Sequence, residues 1–316
     1  LKVHSKEKPL SEDVDLRRVA QTTAGFTGAD LENLLNEAAI DAAKESRPYI
    51  MQKDIKKAFI KVGIGAEKKS KVISDKEKKI TAYHEAGHAI LFHVLPHMDP
   101  VYTISIIPTG MGAAGYTMPL PDNDEMFNTK NKMLEDITTL LGGRVAEEII
   151  FGDITTGASN DIEQATKLAR AMITQYGMSK KFGLMGLATQ ENQYLNGRAV
   201  LNCGDNTATE VDHEVMELLR VSYEEAKRLI SSHRKALDKI AAYLIRKETI
   251  TGKEFMIIFR AVEKGLEVSD VLDAEGLKAL DEAVKAEDKT DEANVDTETA
   301  ESTVQAPAEM PAESSG

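Results

Sequence analysis

Between Ser74 and Pro96 the chain reads SDKEKKITAYHEAGHAILFHVLP, and this stretch restricts the possible folds more than any other. Ser74 with Glu77 three residues on makes a capping box that starts a helix, and Pro96 closes it. Ile80, Tyr83, Gly87, Ile90, Leu91 and Val94 recur at three- and four-residue steps, an apolar face that other elements must cover. His84 and His88 stand one turn apart on one side of that helix. With Glu85 beside them they form the pattern H-E-x-x-H, two neutral imidazoles to bind Zn²⁺ and a carboxylate to activate water. The competing reading is two solvent-facing histidines on an amphipathic helix. A capped start, a firm apolar face and the small residues Ala86 and Gly87 between the histidines favour the metal site.

With 316 residues the chain has room for two domains and a tail. Its net charge of -13 argues against a nucleic-acid partner. About half of that charge sits in residues 283–316. One cysteine, Cys203, excludes an internal disulfide framework and suits a reducing compartment. No run approaches the roughly 18 apolar residues of a membrane span, and no signal peptide is visible, so the segment is expected to be soluble. It opens on Leu1 rather than Met, which reads as a piece of a longer protein.

The expected fold class is mainly α with a small β-sheet. Residues 1–62 read as three short helices, the middle one started by a Thr27–Asp30 capping box and carried by Leu31, Leu34, Leu35, Ala38 and Ala42. Residues 63–74, with Gly63, Gly65 and several lysines, read as a linker, and a second domain follows over 75–265. After the histidine helix, Tyr102, Ile104 and Ile106 alternate with Thr103 and Ser105 as a strand. A Gly-rich hairpin then leads to a second strand, Tyr116 to Leu120. One helix is expected from Lys130 to Ile150, although Gly142 and Gly143 inside it cost roughly 1 kcal/mol each against alanine. Close approach to the histidine helix at Ala86 and Gly87 would offset that. Another helix starts near Asp161, Leu184 to Thr189 is a strand candidate, and residues 191–206 read as loop. Helical periods cover 209–231 and 233–247, and Thr251 with Glu254 caps a further helix. Residues 266–282 read as a helical extension, and 283–316 as a disordered acidic tail with too little apolar surface to fold.

A catalytic zinc site takes a third protein ligand and leaves one position open. His93 lies on another side of the helix, and His97, beyond Pro96, has no fixed direction. Two carboxylate sources remain, Glu147/Glu148 at the end of the Gly-Gly helix and Asp161 at the next helix start. An aspartate in a first turn is also favoured by the helix dipole alone, and paired glutamates can be a solvated helix end. The residues by themselves leave this choice open. A substrate peptide held along a strand edge could use residues 101–107 or 184–189.

Four segments in order, GFTGADLENLLNEAA, HEAGHA, LLGGRVAEEIIFG and TTGASNDIEQATKLAR, resemble the FtsH family of membrane-anchored, ATP-dependent zinc metalloproteases. The likeness runs from residue 1 to about 262. It implies His84, His88 and Asp161 as Zn²⁺ ligands and Glu85 as the catalytic base, with Glu147 as a supporting residue or fallback ligand. It also implies that residues 1–62 are the helical lid of an AAA-type ATPase, with Gly28 and Ala29 on the nucleotide side. No G-x-x-x-x-G-K-[ST] phosphate loop is present, so ATP and Mg²⁺ are expected to act only in the full-length protein. The resemblance further implies processive degradation of unfolded cytoplasmic and membrane proteins, a homo-hexamer, and anchoring at the bacterial cell membrane by segments upstream, with this part facing the cytoplasm. The alternative from another class is a proteolytically silent zinc-binding scaffold or chaperone-like ring.

Overall fold

A computed structural model of the chain describes residues 1–23, 25–63, 65, 73–110, 112–120, 127–191, 198–269 and 272–302. Most of the expected linker at 63–74 lies outside those residues, as do residues 303–316. The chain divides into two compact units, Leu1–Phe255 and Met256–Gly316.

The first unit opens with α1 (Leu16–Thr22), α2 (Gly28–Lys44) and α3 (Gln52–Gly63). Asp15 caps α1, and the Thr27–Asp30 capping box forms at the start of α2. These helices bury their periodic apolar positions in a core of their own: Val19, Leu34, Leu35, Ala38, Ile50 and Ile55. Arg47 pairs with the buried Asp54 at 2.7 Å and so fixes the turn that leads into α3.

The histidine helix is α4 (Asp75–Val94), with the Ser74–Glu77 capping box in place. Ala82, Ala86, Ala89, Ile90 and Leu91 are fully buried along it. After it come β1 (Val101–Ser105) and β2 (Tyr116–Pro119), paired antiparallel with Ile104 opposite Thr117. A third strand, β5 (Thr249–Thr251), pairs with the other edge of β1, giving the order β2-β1-β5. Only three residues long, β5 carried no period visible in the sequence. Thr251 serves both structures, as its capping box with Glu254 starts α10 (Gly252–Glu263).

The helix expected over 130–150 is two helices, α5 (Lys130–Leu140) and α6 (Gly142–Phe151), broken at Leu141. The glycine pair follows the break, where backbone freedom makes an interruption cheap. It also lets α6 lie against α4. A Cβ on Gly87 would meet the Gly142 carbonyl oxygen at 2.7 Å and the Ala146 Cβ at 2.8 Å. A single 3-10 turn (Thr156–Ala158) leads into α7 (Ser159–Thr174). The next strand is β3 (Ala188–Glu191), shifted from the expected 184–189, and it pairs with β4 (Arg198–Leu201), where loop was expected. The long helices α8 (Asp205–Ser232) and α9 (Arg234–Lys247) complete the unit. Met133, Ile137, Ala165, Ala169, Met172, Val211 and Val215 join α5, α7 and α8 in one core. The Tyr83 hydroxyl donates to Asp238 at 3.0 Å and ties α4 to α9.

In the second unit, Asp273 caps α11 (Ala274–Ser302), accepting from the Gly276 N–H at 2.7 Å. The expected disorder from residue 283 differs from this helix, which runs to Ser302. Val284 is buried and Lys264 pairs with Asp288 at 3.1 Å, while alanine, glutamate and lysine favour helix intrinsically. No helix among the described residues is long and apolar enough to cross a membrane.

Candidate metal centre

Three elements bring the site together. α4 carries His84, Glu85 and His88; α6 carries Glu147; and the first turn of α7 carries Asp161. His84 and His88 are nearly buried, and their Nε2 atoms lie 3.1 Å apart. Asp161 Oδ2 is 3.2 Å from His84 Nε2 and 3.7 Å from His88 Nε2.

The far side of each ring explains why these atoms converge. His84 Nδ1 donates to Glu147 Oε1 at 2.8 Å, and His88 Nδ1 donates to the Thr139 carbonyl oxygen at 2.8 Å. A carboxylate and a carbonyl only accept, so each Nδ1 carries a proton and each ring turns its Nε2 toward the other. Glu147 is itself fixed, since its Oε2 accepts the Thr155 N–H at 2.8 Å. Two lone pairs and a carboxylate oxygen pointing at one spot repel unless a positive charge lies among them. A proton on His84 can supply it: burial alone would lower this group's pKa, but Asp161 and Glu147 push it up to about 10. A divalent cation can supply it as well, because two imidazole nitrogens and one carboxylate oxygen suit zinc. The three ligand atoms lie within 4.8 Å of one another, and the described residues bring no fourth protein ligand among them. Burial works against ionisation of Asp161, yet its hydrogen bonds with His84 and His88 hold its carboxyl well below the usual range.

Glu85 stands next to this cluster, buried, with its carboxyl pushed up chiefly by desolvation; the neighbouring histidines and the Thr117 hydroxyl oppose that rise. Thr117 on β2 donates to Glu85 Oε2 at 2.8 Å. Glu148 turns away, bonded to the Tyr223 hydroxyl and to Lys227. His97 pairs with Glu135 at 2.6 Å, and His93 sits edge-on to Phe255, so neither joins the cluster. Gly28 and Ala29 lie exposed at the start of α2, and nothing brings them to the histidines.

One expectation about strands needs correction. β1 is the middle strand of its sheet, and Thr103 to Ser105 are paired on both edges, which takes those edges from a peptide. Of residues 184–189, Ala188 and Thr189 lie in β3 of a separate two-stranded sheet, and Leu184 is almost fully exposed. The strand beside Glu85 with an unpaired edge among the described residues is β2. Sequence reading missed Thr117 and the Thr139 carbonyl, whose partners lie 32 and 51 residues away. No local pattern marks a contact that the tertiary fold creates.

The model of the family described as "Peptidase family M41" matches residues 71–258, and that of the "AAA+ lid domain" matches residues 13–57. A protein of Clostridium perfringens named "ATP-dependent zinc metalloprotease FtsH" is 48% identical over 258 residues, covering 82% of this chain and 36% of that protein. The Thermotoga maritima protein of that name is 47% identical over 271 residues, 84% of this chain and 44% of the relative. That of Kosmotoga olearia is 43% identical over 300 residues, 94% of this chain and 46% of the relative. The chain thus spans less than half the length of these curated relatives.

Proposed function

The chain belongs to peptidase family M41, and on that premise we propose that it is the peptidase portion of an ATP-dependent zinc metalloprotease. The observation that carries this reading is the convergence of His84 Nε2, His88 Nε2 and Asp161 Oδ2, with both Nδ1 atoms already committed elsewhere. His84, His88 and Asp161 hold Zn²⁺, and Glu147 orients His84 through Nδ1 as a supporting residue. Zinc, when bound, acts as a Lewis acid on the scissile carbonyl and lowers the pKa of water. Glu85 takes a proton from the attacking water and returns it to the departing amine. Burial raises its pKa, the direction that makes a carboxylate a stronger base. The substrate is a protein segment held extended along the free edge of β2, where backbone hydrogen bonds take up chains of many sequences.

The likeness to longer relatives supports further proposals. Residues 13–57 form the lid of an ATPase module, and Gly28 and Ala29 at the start of α2 face its nucleotide. The whole protein uses ATP to unfold and feed substrates, assembles as a hexamer and is held at the membrane, with this part on the cytoplasmic side. Protein substrates reach the zinc site through that assembly.

Glu85→Gln separates a peptidase from a silent zinc-binding scaffold. In the full-length protein the variant should keep its zinc and lose digestion of casein. Casein digestion by Glu85→Gln at the wild-type rate would refute the mechanism.

A further inference from the structure

Thr117 lies on β2 opposite Ile104, and its side chain reaches across to α4. Its hydroxyl oxygen is 2.8 Å from Glu85 Oε2 and 3.0 Å from the Glu85 backbone oxygen. A hydroxyl has one proton to give, and the charged carboxylate oxygen is the stronger acceptor. Two residues earlier on the same strand approach, Gly115 borders the other carboxylate oxygen. A Cβ there would stand 2.9 Å from Glu85 Oε1 and 2.7 Å from the Ser105 carbonyl oxygen. The two oxygens of Glu85 therefore have different surroundings, one held by a donor and one so close to Gly115 that a side chain there would crowd it.

A general base needs that asymmetry. The terminal torsion of a glutamate is broad, so burial alone does not decide which oxygen faces the reacting water. We propose that Thr117 is the positioning residue for Glu85: its hydroxyl holds Oε2, Gly115 leaves room for Oε1, and Oε1 is the atom that takes the proton from the attacking water. This assignment rests on the peptidase reading above. The Thr117 side chain bonds to Glu85, so its effect on the reaction runs through that carboxylate. Valine has nearly the same shape as threonine and suits a strand equally well, so Thr117→Val removes the donor and little else.

The experiment compares the zinc-loaded full chain with Thr117→Val, Thr117→Ser and Glu85→Gln on an internally quenched casein-derived peptide, with zinc content measured for each. Thr117→Val should lose roughly 10- to 100-fold in kcat, the range for one hydrogen bond to a charged group, while KM and zinc content stay unchanged. Thr117→Ser, which keeps the hydroxyl, should recover most of the loss. Crystal structures of the same variants give a readout independent of turnover: the Glu85 carboxylate should be rotated in Thr117→Val and restored in Thr117→Ser. Thr117→Val with the wild-type kcat, Thr117→Ser as slow as valine, a loss confined to KM, or an unmoved Glu85 would each overturn the assignment. Failure of the peptidase reading looks different, for wild type and Glu85→Gln would then cut the peptide alike. Failure of the Thr117 assignment leaves that pair far apart.

Discussion

Replacing Gly143 by alanine should unseat His84. A Cβ built on Gly143 falls 2.3 Å from His84 Nε2, 2.4 Å from Cε1 and 2.5 Å from Cδ2. Non-bonded heavy atoms of this kind rest at about 3.5 Å, so the ring must retreat by about 1 Å. It has little freedom to do so, because Nδ1 is tied to Glu147 and Glu147 to the Thr155 N–H. Metal–ligand distances tolerate only about 0.2 Å, so a shift of that size removes His84 as a ligand or breaks its bond to Glu147. Loss of the orienting bond alone lowers metal affinity by about 10- to 100-fold, which sets the smaller end of the expected effect. Stability should respond far less. Alanine gains about 1 kcal/mol over glycine in a helix, while overpacking costs about 1–3 kcal/mol. Zinc affinity measured against a chromophoric chelator, beside thermal melting followed by circular dichroism, separates the two effects. Gly186→Ala is the control, since nothing lies within 4 Å of its built Cβ. Wild-type zinc affinity in Gly143→Ala would refute the account of how the α4–α6 contact shapes the site.

Three further outcomes are expected. Asp161→Asn should lower zinc affinity more than Glu147→Gln, whose cost should be about 10- to 100-fold; the reverse order by the same chelator assay would make Glu147 the ligand. Zinc binding should be linked to pH. His84 holds a proton up to about pH 10, where its ordinary value is 6.5, and the metal must displace that proton. Apparent affinity should therefore rise about tenfold per pH unit from neutrality and level off near pH 10, and a flat titration over that range would contradict the proton on His84. Truncation after Asp288 should leave zinc content and melting temperature unchanged, because Asp288, the partner of Lys264, is retained. A fall of about 4 °C or more, roughly 1 kcal/mol for a domain of this size, would show that residues 289–316 add to stability.

The sequence by itself determined the elements whose causes are local. The Ser74–Glu77, Thr27–Asp30 and Thr251–Glu254 boxes each link residues three apart, and all three form. The helical period of α4 put His84 and His88 on one side and paired them with Glu85, and the glycine pair foretold close contact between α4 and α6. The local pattern could not choose between Glu147 and Asp161, since an acidic residue at a helix end has its own local reasons to be there. The tertiary structure separated their geometry: Glu147 meets Nδ1 of His84, on the far side of the ring from Nε2, where Asp161 Oδ2 lies. The break at Leu141 lies where the Thr139 carbonyl meets His88, and nothing in residues 130–150 marks that need. Likewise β5, three residues long, exists because β1 offers it an edge across about 145 residues of chain, and that pairing makes β1 interior and leaves β2 as the outer strand. Caps and periods are energies within one or two turns of backbone. The choice of ligand, the hold on Glu85 and the free strand edge depend on contacts between segments far apart in the chain, and these exist only once the helices and the sheet have packed.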